Sequence, residues 1–117
     1  MIHATIKMAM PFKNRAEALR ILISVAERTR IEPGCISCGI YHGVENKQII
    51  MMEELWQSHE DMERHLRSED YLKVLLVVEM ALETPEIRFD TIARSAGVNT
   101  IKKARNTHWQ YAKNSVK

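Results

Sequence analysis

The chain has 117 residues, of which 45% are hydrophobic and 27% charged, which is typical of one globular domain. It contains no run of about 18 apolar residues that would cross a bilayer, and no basic segment leads into an apolar one at its N-terminus. We therefore predict a soluble, unexported cytoplasmic protein with no membrane partner.

The formal net charge of +2 is unevenly distributed along the chain. Residues 1–93 carry 11 Lys and Arg against 15 acidic residues, which gives −4, whereas residues 94–117 carry 6 basic residues and no acid, which gives +6. We interpret the basic tail as a solvated extension, or as a helix that packs on the acidic body of a partner subunit. Nucleic-acid binding is the less favoured alternative, because six charges outside a defined binding fold are weak support.

The first two predicted elements are a strand and a helix. Apolar residues alternate over Ile2–Met10, which indicates a strand that Pro11 ends. Asn14 and Glu17 have the spacing of a capping box and predict the start of a helix that runs to about Arg30. Four apolar residues mark its predicted buried face: Leu19, Leu22, Ile23 and Ala26.

The next two predicted elements are strands, at about residues 35–42 and 48–56, joined by a polar loop of hairpin length. The two cysteines of the chain, Cys35 and Cys38, lie in the first of them. Residues three apart in a strand point to opposite faces, which disfavours a shared zinc site or a local disulfide. We therefore predict two small buried thiols in a reducing compartment, and no metal site.

Ser58 and Ser68 each precede acidic residues with the spacing of a helix N-cap, which predicts two consecutive helices up to about Glu83. Residues 86–93 are again typical of a strand. This order of elements predicts an α+β protein of the ferredoxin-like split βαβ class. Its four-stranded antiparallel sheet carries helices on one face.

The third predicted strand indicates that both faces of the sheet are covered. Its apolar residues lie on both: Ile49, Met51 and Leu55 on one, and Ile50, Met52 and Trp56 on the other. Because the helices reach only one face, we expect a second copy of the chain to cover the other. The result is a homodimer with two sheets closed toward a barrel.

Three motifs in this setting resemble the antibiotic biosynthesis monooxygenase family: Glu32-Pro33-Gly34-Cys35-Ile36-Ser37, Glu54-Leu55-Trp56-Gln57-Ser58 and His65-Leu66-Arg67-Ser68. The resemblance covers about residues 2–93, so we divide the chain into a domain of residues 1–93 and a basic extension of residues 94–117. It implies a dimeric α+β barrel that oxygenates a small electron-rich aromatic, quinol or polyketide-like, with dioxygen and without metal or cofactor.

The resemblance implies catalytic roles for His65 and Glu54. The imidazole changes protonation near neutrality and so acts as acid and base or orients the substrate, while Glu54 hydrogen-bonds to His65 or to the substrate. The alternatives are a packing role for His65 and an ion pair of Glu54 with an arginine such as Arg88. We expect a dry cavity between His65 and Trp56, whose indole stacks on the substrate or fills the core. The predicted substrate-binding residues are Trp56, Met52, Tyr71, His42 and Leu75.

The chain departs from the family pattern at two positions. Asp70 stands where many relatives have a second His, and Leu75 falls near the axial His of the heme-degrading branch. An aliphatic side chain cannot ligate iron, which disfavours heme chemistry. The alternative function is a catalytically silent dimeric barrel that binds a small apolar ligand or serves as an assembly module.

Overall fold

The computed structural model describes residues 1–106, which form one four-stranded antiparallel sheet and four helices. The strands are β1 (Ile2–Ala9), β2 (Cys35–His42), β3 (Ile49–Trp56) and β4 (Glu86–Thr91). The helices are α1 (Phe12–Thr29), α2 (His59–Leu66), α3 (Glu69–Glu79) and α4 (Val98–Arg105). The strands are ordered β2-β3-β1-β4 and all neighbours are antiparallel, which confirms the predicted ferredoxin-like fold.

The core lies between α1, α3 and one face of the sheet, which we call the inner face. Side chains alternate along β1 and β3, so every second residue points to the helices. The centre of this core consists of Ile6, Met8, Ile50 and Met52 from the sheet and Leu22, Val25, Val74 and Val77 from the helices. Burying each of these side chains contributes about 1.5–3 kcal/mol to the free energy of folding.

Helix α1 begins earlier than its sequence predicts. Pro11 is the N-cap residue, and the Asn14 N–H donates to the Pro11 carbonyl over 2.9 Å, so Asn14 lies within the first turn. The capping-box prediction was therefore wrong, because the extended proline ends β1 and starts the helix in one step. The buried face is also rotated: Val25 is fully buried, whereas Ile23 is half-exposed.

The predicted pair of helices after β3 is confirmed. The Ser58 hydroxyl accepts a hydrogen bond from the Asp61 N–H at the start of α2, and the Ser68 hydroxyl accepts one from the Tyr71 N–H at the start of α3. Helix α3 ends at Glu79, four residues before the predicted end.

A β-bulge changes which face the cysteines occupy. Between Cys35 and Ser37 the register shifts, so that Cys35 lies opposite Trp56 and Cys38 lies opposite Glu54. Directly paired residues share a face, and Trp56 and Glu54 are both on the inner face. The prediction of opposite faces was therefore wrong, because the extra residue of the bulge shifts the alternation by one. Both thiols are free, Cys38 buried and Cys35 half-buried.

Strand β4 forms the edge of the sheet beside β1, and the helices leave its inner face open. Ile87 pairs with Ile6 and Phe89 pairs with Ala4, so both side chains point to the same side as the core. They are nevertheless 44% and 46% exposed. One end of the inner face is therefore an apolar surface that no described helix seals.

The opposite, outer face of the sheet carries Ile49, Met51 and Leu55, which are half-buried among polar neighbours.

No helix in the described part of the chain is long and apolar enough to cross a membrane. In the tail, α4 has no buried residue, and residues 107–117, which include Trp109 and Tyr111, lie outside the described residues. The division at residue 93 stays a prediction.

Candidate active site

The structure brings His65 and Glu54 into direct contact. His65 lies in the last turn of α2 and has no exposed surface. Its Nε2 is 2.9 Å from Glu54 Oε2, and its Nδ1 is 2.9 Å from Glu32 Oε2. The Trp56 indole N–H donates to Glu54 Oε1 over 3.0 Å. A buried imidazole is thus held between two carboxylates, one of which is also fixed by an indole.

Local structure explains how these side chains meet. Glu54 and Trp56 are two residues apart at the end of β3, so both point to the inner face. The Ser58 cap starts α2 immediately after the strand, and the helix returns His65 over that strand end. The β3–α2 connection alone therefore places the imidazole above Glu54.

Glu32 reaches His65 from the turn between α1 and β2. Gly34 in this turn has a φ of +83°, and a Cβ there would overlap the Asp61 carboxylate of α2. The Gly34 carbonyl accepts from the Gln57 N–H over 2.9 Å, and the Pro33 carbonyl accepts from Arg64 Nη2 over 3.0 Å. The turn is therefore bonded to Gln57, just before α2, and to Arg64 within α2, which fixes Glu32 beside the imidazole.

The neighbouring carboxylates decide the charge of the imidazole. Burial alone lowers the pKa of His65, but the hydrogen bond and charge of Glu54 and the charge of Glu32 outweigh it and leave the pKa above 6.5. The imidazolium therefore persists to higher pH than in an unperturbed histidine. In the same cluster, burial and the charge of Glu54 raise the pKa of Tyr71 to about 12, so the phenol stays neutral near pH 7.

A small cavity borders the cluster. Its volume is about 10 Å³, which is the space that one water molecule needs. The lining comes from β1, β3, β4 and α3 and consists of Ala4, Thr5, Ile6, Met52, Glu54, Tyr71 and Phe89. Glu54 is thus the member of the buried network that faces the cavity, and Phe89 connects the cavity to the open surface of β4.

The expected cavity between Trp56 and His65 is absent. Their ring centroids are 4.9 Å apart with planes 33° from parallel, and neither residue has exposed surface. The indole also packs against Ile2 and Met62, so Trp56 fills the core. The Tyr71 ring also lies against the imidazole, edge-on with centroids 5.3 Å apart. The cavity therefore lies beside Glu54 and Tyr71 and not between the two predicted rings.

The other candidate residues lie at different distances from this cluster. Met52 and Tyr71 line the cavity. His42 is exposed and pairs with Ile50, at the opposite end of the hairpin from Glu54. Leu75 is 43% exposed on α3, next to the buried Val74. The structure therefore does not bring His42 and Leu75 to the cavity.

The structure also shows the contacts of Arg88 and Asp70, two residues that the sequence analysis singled out. Arg88 contacts Asp90 over 3.3 Å, so the suggested ion pair of Arg88 with Glu54 does not form. Asp70, at the position where the resemblance implied a second His, accepts a hydrogen bond from Arg28 Nε over 3.0 Å. In residues 1–106, no group of three His, Cys, Asp or Glu side chains is arranged to hold a metal ion. The absence of a cofactor stays a prediction.

The sequence reasoning missed Glu32 and Phe89. Glu32 is 33 residues from His65, and the sequence analysis used it only as the first residue of a family motif. Phe89 was placed on a strand, but no pattern showed that the helices stop short of it. The signal that could have identified Glu32 is an acidic residue directly before a Pro-Gly turn that leads into a strand.

A family model and several solved structures match the chain. The family model for antibiotic biosynthesis monooxygenase matches residues 1–75. A conserved protein from Methanosarcina mazei is 28% identical, with a TM-score of 0.71 over 76% of this chain and 89% of its own. A candidate antibiotic biosynthesis monooxygenase from Deinococcus radiodurans has a TM-score of 0.76 at 15% identity, over 84% of this chain and 98% of its own.

A third solved structure, of a conserved protein of unknown function and possible oxidoreductase from Bacteroides thetaiotaomicron, is 19% identical. Its TM-score is 0.66 over 76% of this chain and 92% of its own. No protein with a curated description matches the chain. Likeness at 15–19% identity establishes the fold only.

Proposed function

Because this chain belongs to the antibiotic biosynthesis monooxygenase family, we propose that it is a cofactor-independent monooxygenase. The substrate is a small electron-rich aromatic, quinol or polyketide-like, and the co-substrate is dioxygen. One observation carries the proposal: Glu54, a carboxylate buried among apolar side chains, faces a cavity while an imidazole and an indole hold it in place.

Glu54 is the base in this proposal. Its Oε1 accepts from Trp56 and its Oε2 from His65, and each oxygen retains a lone pair for a substrate proton. Removal of that proton gives a substrate anion able to pass an electron directly to dioxygen. At a substrate methylene, one oxygen atom becomes a carbonyl and the other leaves as water with the two hydrogens, so no outside reductant is needed. His65 acts through Glu54, whose Oε2 it contacts.

The open surface of β4 supplies the room that the substrate needs. The cavity itself holds about one water, but Phe89 and Ile87 beside it present apolar surface to solvent. An aromatic ring lying over Phe89 points its reactive group toward Glu54. Tyr71 at the cavity wall stays protonated, because its pKa is about 12, and is a suitable donor for the oxyanion of the substrate.

Oxygen consumption with hydroquinones and anthrones tests this function. We expect turnover by the unmodified chain and a loss of about 10²–10⁴-fold in kcat for Glu54→Gln, which cannot accept the proton. Glu63→Gln is the matched control, because Glu63 contacts His59 in an exposed pair on α2. No oxygen consumption with any of these substrates, or full activity of Glu54→Gln, refutes the assignment.

A second candidate is the catalytically silent barrel that binds a small apolar ligand. It is favoured by the size of the cavity, about 10 Å³. It is also favoured by the complete pairing of buried polar side-chain atoms in the described residues, which leaves none requiring a substrate. Under this alternative, an apolar fluorescent ligand binds over Phe89 with the same affinity in Glu54→Gln, and oxygen is not consumed.

The outer face supports the proposal of a homodimer. Ile49, Met51 and Leu55 present partly exposed apolar side chains there, and a second copy offers the same surface about a twofold axis. We expect Met51→Asp to shift the sedimentation coefficient from dimer to monomer. Leu72→Asp, on the exposed side of α3, is the control and leaves the dimer intact. A monomeric unmodified chain refutes the proposed assembly.

The remaining proposals concern location and the tail. The two free thiols, Cys35 and Cys38, support a reducing compartment such as the cytoplasm. For the tail, a helix without buried residues and a net positive charge suits an acidic partner subunit more than a defined nucleic-acid surface. Association with nucleic acid predicts steep salt dependence that is lost on removal of residues 94–117.

A further inference from the structure

The proposed reaction assigns no role to Glu32, although this carboxylate contacts the far side of the His65 ring. We propose that Glu32, His65 and Glu54 form a proton path that connects the cavity with solvent, and that Glu32 is its outer end. Use of the path in turnover rests on the proposed function, but the path itself is a property of the protein without substrate.

The geometry provides a continuous chain of two hydrogen bonds. Glu54 lies within the cavity wall with its side chain 4% exposed, His65 is fully enclosed, and the Glu32 side chain is 23% exposed. Each ring nitrogen of His65 is 2.9 Å from one carboxylate oxygen. An imidazole takes up a proton at one nitrogen and releases one from the other, so the three groups suffice to move a proton across the buried layer.

The other groups around Glu54 do not offer an equivalent route. The Trp56 indole donates its N–H and accepts nothing. Tyr71 and Cys38 have pKa values of about 12, because burial and the charge of Glu54 disfavour their anions. Near neutral pH both keep their protons. Among the described neighbours of Glu54, His65 is therefore the group suited to exchange protons with it.

The protons balance over one outward and one inward passage. In the resting cluster the ring is an imidazolium with a proton on each nitrogen. When Glu54 takes a proton from the substrate, the Nδ1 proton passes to Glu32 and then to water, which leaves the ring neutral with its proton on Nε2. When the reduced oxygen requires a proton, Glu54 donates the one it holds, and water returns one through Glu32 to Nδ1. The imidazolium and the two carboxylates are then restored.

The turn that carries Glu32 is built to hold this contact. Its Gly34 carbonyl is bonded to Gln57 and its Pro33 carbonyl to Arg64, so the turn moves with α2, the helix of His65. Glu32 therefore keeps its distance to Nδ1 while its own carboxylate remains in reach of water. A purely structural partner for Nδ1 has no need of this partial exposure.

Exchange of the His65 ring protons with solvent, followed by ¹⁵N NMR on the full chain without substrate, tests the path. Glu32→Gln keeps an acceptor for Nδ1–H but cannot carry a proton, so we expect exchange of the ring protons to slow by about tenfold or more. Glu27→Gln, an exposed acid on α1, is the matched control and leaves exchange unchanged. Exchange within about twofold of the unmodified rate in Glu32→Gln overturns the path.

A rescue experiment separates proton transfer from a merely structural role. In Glu32→Ala, added formate restores rapid exchange if a carboxylate at this position carries the proton, and leaves exchange slow if Glu32 only orients the ring. The outcome is independent of the proposed reaction. Slow exchange in Glu32→Gln together with no oxygen consumption by the unmodified chain refutes the oxygenase and retains the path. Oxygen consumption with normal exchange in Glu32→Gln refutes the path and retains the oxygenase.

Discussion

Two regions of the inner sheet face differ in burial, although in both of them every second side chain points to the helix side. At one end, β3 and β1 lie under α1 and α3, and Ile50 has no exposed surface. At the other, β4 points Ile87 and Phe89 to the same side, yet both remain nearly half-exposed. Strand periodicity determines the direction of a side chain, whereas the helices determine whether it is buried. Glu54 and its cavity lie where these two regions meet.

The largest expected effect on stability comes from replacing His65, which lies between Glu54 and Glu32 in the buried part of the molecule. Replacing His65 by Ala leaves Glu54 and Glu32 without their shared cation, and removing one member of a buried charged network costs about 3–5 kcal/mol in the free energy of unfolding. Urea denaturation measures it. His59→Ala, which removes the exposed pair with Glu63, changes the same quantity by less than about 1 kcal/mol. An equal change in the free energy of unfolding for His65→Ala and His59→Ala would contradict the claim that the buried pairs stabilise the fold more than the exposed pair does.

A matched pair of isoleucines tests the comparison directly. Ile50→Ala removes a fully buried side chain and is expected to cost about 2–5 kcal/mol. Ile87→Ala, on the same sheet face but 44% exposed, is expected to cost less than about 1 kcal/mol. Thermal and urea denaturation measure both. A comparable loss for Ile87→Ala means that a subunit or the tail covers β4 in solution.

Phe89→Ala tests whether the open region binds substrate. Removal of the exposed ring is expected to lower kcat/KM for an aromatic substrate by about tenfold, or about 1.4 kcal/mol, with little change in the free energy of unfolding. Phe12→Ala, which removes a more exposed ring at the start of α1, serves as the control. Unchanged kcat/KM in Phe89→Ala places the substrate elsewhere.

The smallest expected effect is a pH dependence of stability. Since the folded pKa of His65 is raised above 6.5, the folded chain retains a proton that the unfolded chain releases. The stabilisation is complete below about pH 6 and is lost as the pH rises through the folded pKa. Urea midpoints between about pH 6 and pH 8 should fall in the unmodified chain and fall less in His65→Gln. This window lies below the range in which the thiols titrate. A midpoint that rises with pH contradicts the assigned charge.

The sequence predicted the fold well because its signals are local. Alternation fixed the strands, and the serine caps fixed the paired helices, each from residues adjacent in the chain. The bulge near Cys35 was not predictable, since one extra residue leaves no compositional mark and reverses the alternation after it. Likewise, the position of α1 depends on packing, which turned Val25 inward and Ile23 outward.

Contacts within the site were predictable only between residues in the same secondary-structure element or in consecutive elements. The contact between His65 and Glu54 follows from 11 residues of strand, cap and helix. The contact between His65 and Glu32 spans 33 residues and depends on how the α1–β2 turn docks on α2. The position of the cavity depends on side-chain packing around Trp56, which the order of residues does not determine.

The close approach of Gly34 to Asp61 links two segments that are distant in the chain. Hybrid proteins that exchange parts with relatives must therefore inherit residues 32–34 and 58–65 from the same parent. A crossover between these two segments joins a loop and a helix that were not selected to pack against each other, even when every side chain of the buried network is preserved. Such a hybrid would retain the charged groups but lose the spacing on which they depend.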